Sequence, residues 1–300
     1  MTNASTQRCG YVALVGRPNV GKSTLLNHLL GMKLSITSRK PQTTRHNLLG
    51  VDTRGVNQAL YVDTPGIHDP QQRGMNRYMV KSALSALKDV DLIVWLVERE
   101  LFTAEDERVL EHIQAAEQPT LVALNKIDRL REKSALLPAI ATLSERYEFA
   151  AFLPISATTG EGVEVLRQAV HEHLPEREHL FPPDQLTDQS ERFLVAEIIR
   201  EKLTRRLGDE LPYELNVGIE HFKSSDAVID IAANIYVEKA GQKQIVIGSK
   251  GEKLKSIGSD ARADIERLLD SKVMLRLWVK VKGGWSSDER TLRQFGYGPD

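Results

Sequence analysis

The chain has 300 residues, 41% of them hydrophobic, enough for two domains with separate cores. Its 40 basic and 41 acidic residues leave a formal charge of −1, which excludes a globally basic nucleic-acid binder and confines any such signal to local patches. Cys9 is the single cysteine, which excludes an internal disulfide, and neither an N-terminal signal core nor an apolar run of membrane length is present, so a cytoplasmic protein is expected.

In chain order, Tyr11-Val12-Ala13-Leu14-Val15 reads as a buried strand and residues 22–30 as a helix. Between them stands Gly16-Arg17-Pro18-Asn19-Val20-Gly21-Lys22-Ser23, a complete phosphate-binding loop. Its glycines let backbone N–H groups turn toward phosphate oxygens, Lys22 can reach the terminal phosphates, and the Ser23 hydroxyl can ligate Mg²⁺. A second strand ends in Tyr61-Val62-Asp63-Thr64-Pro65-Gly66, where Asp63 can hold Mg²⁺ through its water shell and the Gly66 N–H can sense a γ-phosphate.

Leu121-Val122-Ala123-Leu124 is a third buried strand, with Asn125-Lys126-Ile127-Asp128 at its carboxyl end. Asp128 can accept hydrogen bonds from guanine N1–H and its 2-amino group, a pattern adenine does not offer. Asn125 would tie the base to the phosphate loop, and the Lys126 stem would cover the ring. Phe152-Leu153-Pro154-Ile155-Ser156-Ala157 ends a further strand, from which the Ala157 N–H could donate to guanine O6. Four such segments in this order, each after a strand, point to GTP and GDP rather than ATP.

Together with Lys40-Pro41-Gln42-Thr43-Thr44-Arg45-His46, these motifs resemble those of the translation-factor-related GTPases, and more narrowly the Era family of bacterial Ras-like GTPases. The resemblance implies that Thr43 or Thr44 closes over the γ-phosphate and Mg²⁺; the sequence leaves the two threonines equivalent. It casts Lys22, Ser23, Thr43, Thr44 and Gly66 as the catalytic set, and Ser23, Asp63 and one of the threonines as metal ligands. Asn19 resembles the loop asparagine of relatives that use a monovalent cation, so K⁺ near the phosphates is expected. The family's guanine loop often reads Ser-Ala-Lys, whereas Thr158 takes the third place here, so Ser156 and Ala157 alone carry over. Ile67 stands where Ras-like enzymes carry a glutamine that orients water, so hydrolysis must rely on bound ions, backbone groups and the switch loops.

Residues 173–184 hold three prolines among several charges and mark the boundary: a GTPase domain over 1–180, a linker over 181–190 and a second domain over 191–300. Residues 191–207 read as a helix with Phe193, Val195, Ile198, Ile199 and Leu203 inward and Arg200, Lys202, Arg205 and Arg206 on the surface. Strands are expected over 215–223, 228–238 and 273–282, and helices over 252–257 and 260–269. With Gly248-Ser249-Lys250-Gly251 between them, this order resembles a type II KH domain, whose glycine loop approaches about four single-stranded nucleotides. Ile247, Gly248, Ser249, Lys250, Gly251 and Lys253 are the expected RNA-binding residues. The local charge agrees: residues 239–255 carry five lysines and one acid, and residues 272–282 four basic residues and no acid. Trp278 and Trp285 could stack on bases, but Trp278 lies in an alternating strand and is assigned to the core.

The fold expected is α/β, a Ras-like P-loop GTPase domain followed by a smaller α+β type II KH domain. The Era resemblance implies binding of small-subunit ribosomal RNA near its 3′ end during subunit assembly, peripheral association with the inner membrane, and a monomer. Two rivals stay open: a GTP switch for a protein or membrane partner without specific RNA binding, and an ATP-driven RNA remodelling enzyme, which Asn125 to Asp128 disfavour.

Overall fold

A computed structural model describes residues 6–38, 40, 43–66, 75–98, 102–208, 214–225, 227–286, 288–295 and 297. The chain forms two compact units, the first from Met1–Ser35, Thr44–Pro70 and Met79–Asp188, the second from Ile36–Thr43, Gln71–Tyr78 and Gln189–Asp300.

In the first unit, strands β1 (Arg8–Val15), β2 (Leu48–Arg54), β3 (Asn57–Asp63), β4 (Leu92–Glu98), β5 (Thr120–Asn125) and β6 (Ala151–Pro154) pair in the order β2-β3-β1-β4-β5-β6. β2 runs antiparallel to β3, and every other pair is parallel. The apolar runs of β4 and β5 are buried because both sheet faces are covered. On one face, Leu87 of α2 (Met75–Lys88) and Val109 and Ile113 of α3 (Ala104–Ala116) pack on Ile93, Trp95 and Val122. On the other, α1 (Lys22–Leu30) and α5 (Val163–His173) touch each other and β3. A short α4 (Leu137–Ser144) adds Leu143 to the first of these cores.

Local chemistry sets the helix ends. α1 leaves the phosphate loop at Gly21 and stops at Gly31, whose left-handed φ of 68° brings its N–H to the His28 carbonyl. Thr103 and Asp106 form a reciprocal capping box at the start of α3. β1 is flanked by β3 on one side and β4 on the other, and the parallel strands deliver their carboxyl ends to one edge of the sheet. That edge is the crevice where open α/β sheets bind ligands.

In the second unit, β7 (Leu215–Ser224), β8 (Ile229–Val237) and β9 (Val273–Val281) form one sheet, with β8 antiparallel to β7 and parallel to β9. Val195, Ile199 and Leu203 of α6 (Glu191–Arg206) join Ile231 and Ile235 of β8 and Ile257 and Ile265 of α8 (Glu252–Leu269) in the core. A helix α7 (Ala240–Ile247) precedes the glycine loop, and α9 (Glu289–Gln294) follows β9.

Three expectations are corrected here. Residues 252–257 and 260–269 form one continuous helix, α8: Gly258 is tolerated mid-helix and lies where a Cβ would come within 3.4 Å of Leu277 Cδ1. Arg200 is not on the surface but 1% exposed, because Glu197 pairs with its guanidinium and the Thr43 carbonyl of the same unit accepts from it. Trp278 is 45% exposed, since the even-numbered residues of β9 point away from the helices, whereas Trp285 is buried with Leu292 and Tyr297.

Candidate functional site

The phosphate loop takes its shape from backbone conformations that side chains resist. Gly16 and Gly21 have φ of 146° and 115°, and Asn19, with φ 61°, lies in the left-handed region that asparagine tolerates. A Cβ on Gly16 would meet the Leu96 carbonyl at 2.6 Å, and one on Gly21 would meet Asn125 Nδ2 at 2.2 Å. A Cβ on Gly66 would lie 2.9 Å from Pro18, so the Asp63-to-Gly66 segment passes directly over the loop. Thr64 Oγ1 fixes that segment by donating to the Leu14 carbonyl at 2.8 Å.

Lys22 is buried and donates to the carbonyls of Gly16 at 2.9 Å and Arg17 at 3.2 Å. Burial pulls its pKa down to about 8, with the Asp63 charge opposing. Bound phosphates would restore the ammonium, so nucleotide binding should take up a proton once the pH exceeds about 8, and affinity should fall as pH rises further. Titration calorimetry in two buffers of different ionisation enthalpy is expected to report roughly half a proton taken up near pH 8. Uptake that persists unchanged in Lys22→Gln would assign the proton to another group.

Beside Lys22 lies a cluster of oxygens. Asp63 Oδ2 accepts from Ser23 Oγ at 2.7 Å and from Ser35 Oγ at 2.8 Å, and Ser23 Oγ lies 2.8 Å from Thr44 Oγ1. Burial pushes the Asp63 carboxyl up, against hydrogen bonds from Ser23, Ser35 and Thr44 and the charge of Lys22. Asp63 Oδ1 is buried with no hydrogen-bond partner among the described residues. One carboxylate with an unspent oxygen and two hydroxyls is a hard donor set that fits Mg²⁺. Thr43 is not part of it: its hydroxyl meets Ser38 Oγ and the Lys40 carbonyl, each at 2.7 Å. Pro41, Gln42 and Ile67 lie outside the described residues.

The guanine loop is tied to the phosphate loop as expected. Asn125 Nδ2 donates to the Val20 carbonyl at 2.7 Å, and Asn125 Oδ1 accepts from the N–H groups of Lys126 at 2.8 Å and Ala157 at 3.0 Å. The Ala157 N–H, read from the sequence as a donor to guanine O6, donates to Asn125 Oδ1 in this structure. Ser156 Oγ donates to Asp128 Oδ1 at 2.6 Å and aims the exposed carboxylate. Sequence reasoning missed Ser35 and Asn27; Asn27 Oδ1 accepts from the N–H groups of Leu34 and Ser35 and so presents Ser35 to Asp63.

In the second unit, Gly248 and Gly251 have φ of 73° and 80°, and Lys250, at 48°, shares the left-handed region. Ser249 and Lys250 are exposed, with Ile247 and Lys253 half-buried beside them. The loop opens into a groove of about 370 Å³ between α8 and β9, lined by Leu254, Lys255, Arg262, Leu275 and Leu277 among others. Helical spacing on α8 and alternation on β9 were the signals that could have found these residues. An apolar floor with cationic walls suits unstacked bases on a phosphate backbone.

Residues 11–126 match the family of 50S ribosome-binding GTPases, and residues 210–286 match the KH domain family. The chain is 57% identical to the GTPase Era of Pseudomonas fluorescens (strain Pf0-1) over 298 residues, covering 99% of both chains. It is 59% identical to the GTPase Era of Ectopseudomonas mendocina (strain ymp) over 297 residues, again covering 99% of both. A crystal structure of Era in complex with MgGDPNP and nucleotides 1506–1542 of 16S ribosomal RNA aligns with a TM-score of 0.94 at 38% identity, covering 98% of this chain and 100% of that one.

Proposed function

The chain belongs to the Era family of GTPases, with a Ras-like GTPase domain and a C-terminal KH domain, and from that premise we propose that it binds the 3′ end of small-subunit ribosomal RNA under the control of GTP hydrolysis during subunit assembly. The observation that carries this reading is the pairing, in one chain, of a complete guanine-nucleotide site with a glycine loop opening into an apolar, cationic groove.

In the GTPase step, Lys22 and the loop N–H groups bind the β- and γ-phosphates, while Asn125 and Asp128 hold the base. Ser23, Asp63 and Thr44 would hold Mg²⁺, with Ser35 orienting Asp63. When bound, that ion neutralises charge developing between the β- and γ-phosphates. Thr44 rather than Thr43 is the threonine that senses the γ-phosphate, because its hydroxyl already touches Ser23. Asn19, exposed at the rim of the loop, is the residue through which K⁺ would act. Domain limits near 180 and 190, a monomeric state and a cytoplasmic location belong to the same proposal. No helix among the described residues is long and apolar enough to cross a membrane, so association with the inner membrane would be peripheral.

Crosslinking the intact chain to cellular RNA and sequencing the contacts tests the reading. Reads should concentrate at the 3′ end of small-subunit ribosomal RNA and depend on GTP. Reads scattered across unrelated RNAs, with a protein captured instead, would favour the protein-partner rival.

A further inference from the structure

Glu98, the last residue of β4, lies outside the set of residues assigned to the nucleotide, yet it joins two loops of the site. Glu98 Oε2 accepts from Arg17 of the phosphate loop at 2.9 Å and from Lys126 of the guanine loop at 3.0 Å. The three side chains are 22%, 17% and 20% exposed, well short of free surface charges. Arg17 has a second anchor: its Nε lies 3.4 Å from the fully buried carboxylate of Asp106, which also caps α3. A continuous chain of charges therefore runs from α3 through the phosphate loop and the end of β4 to the guanine loop, all within the first unit.

We propose that Glu98 is a positioning residue that fixes the phosphate loop and the guanine loop to each other through Arg17 and Lys126, so that both halves of the site stand arranged before a guanine nucleotide enters. This rests on the GTPase reading of the site. Lys126 needs such support, because its backbone sits at φ 68° and ψ 33°, a region non-glycine residues adopt rarely. Holding its ammonium on Glu98 also fixes the far end of the lysine stem. The arrangement is electrostatically committed: both cations meet the same carboxylate oxygen, and without it two like charges would face each other across the width of one ion. Partial burial pushes the Glu98 carboxyl up, but hydrogen bonding and charge from Lys126, then Arg17 and Arg129, hold it below the usual glutamate range.

The test is Glu98→Gln, which keeps the shape and removes the charge, combined with Arg17→Gln and Lys126→Gln in double-mutant cycles. Glu98→Gln should raise the Kd for GTP and GDP alike by roughly tenfold while kcat at saturating GTP stays within about twofold. Its effect should largely vanish in the Lys126→Gln background. If Glu98→Gln fails to fold, as judged by melting of the nucleotide-free protein, the Arg17→Gln and Lys126→Gln pair remains. Those two should be non-additive because they share Glu98. Unchanged affinity, additive effects in the cycles, or a kcat loss matching the affinity loss would overturn the proposal. A parent chain binding neither GTP nor GDP would overturn the reading of the site itself.

Discussion

Asp128→Asn is expected to lower GTP affinity by about 10²–10⁴-fold and to create affinity for xanthosine triphosphate. Guanine presents two donors, N1–H and the 2-amino group, to one carboxylate, and each charge-assisted hydrogen bond of this kind contributes on the order of 1.5–3 kcal/mol. The amide can still accept from N1–H, but its NH₂ group opposes the guanine amino group, donor against donor. Xanthine replaces that amino group with a carbonyl, which accepts from the amide. The substitution should leave the loop intact, because Ser156 Oγ can donate to an amide oxygen as it does to Asp128 Oδ1, and Asn125 keeps its bonds to Val20 and Ala157. Competition binding with GTP, xanthosine triphosphate and ATP measures the ratio. If the variant prefers GTP as strongly as the parent does, Asp128 does not read the base.

Under the proposed function, Gly251→Asp should weaken binding of an RNA corresponding to nucleotides 1506–1542 of 16S ribosomal RNA by roughly tenfold or more at low salt, and reduce the salt dependence of binding. The two loop glycines differ in what they tolerate. A Cβ on Gly248 would strike Lys253 Cβ at 2.6 Å and displace the start of α8, whereas nothing lies within 4 Å of a Cβ on Gly251. Gly251 can therefore take a side chain at the cost of its positive φ alone, about 1 kcal/mol of backbone strain. Gly251→Ala carries the same strain without the charge, and the difference between the two variants isolates the repulsion between a carboxylate and a passing phosphate. GTP affinity should be unaffected in both. Equal RNA affinity of Gly251→Asp and the parent across a salt titration would remove the glycine loop from the interface.

Much of the nucleotide site was legible because its chemistry is local. The run from Gly16 to Ser23 dictates its own backbone path, and the apolar runs of β1 and β5 place it and Asn125 at strand ends. The roles proposed for Asp63 and Asp128 follow from residue type at or just past the end of a strand, and that of Ser23 from its place at the start of the helix after the phosphate loop. The KH unit was legible for the same reason, as an order of helices and strands around one glycine loop.

Tertiary structure decided whatever depends on which strands lie side by side. Asn125 reaches Val20 across 105 residues of sequence, and Glu98 meets Arg17 across 81, because β4 and β5 stack beside β1 in the sheet. Ser35 joins Asp63, and Thr44 rather than Thr43 joins Ser23, through the path of a loop that no periodicity describes. Trp278 lies on the surface rather than in the core because alternation along β9 says that a side chain faces one side of a sheet, not which side the helices cover. The groove beside Gly251 exists because α8 runs unbroken past Gly258 and lies against Leu275 and Leu277 of β9. Sequence sets the conformation of a segment through its own backbone and side chains, and the partners of that segment are set by the packing of elements far apart in the chain.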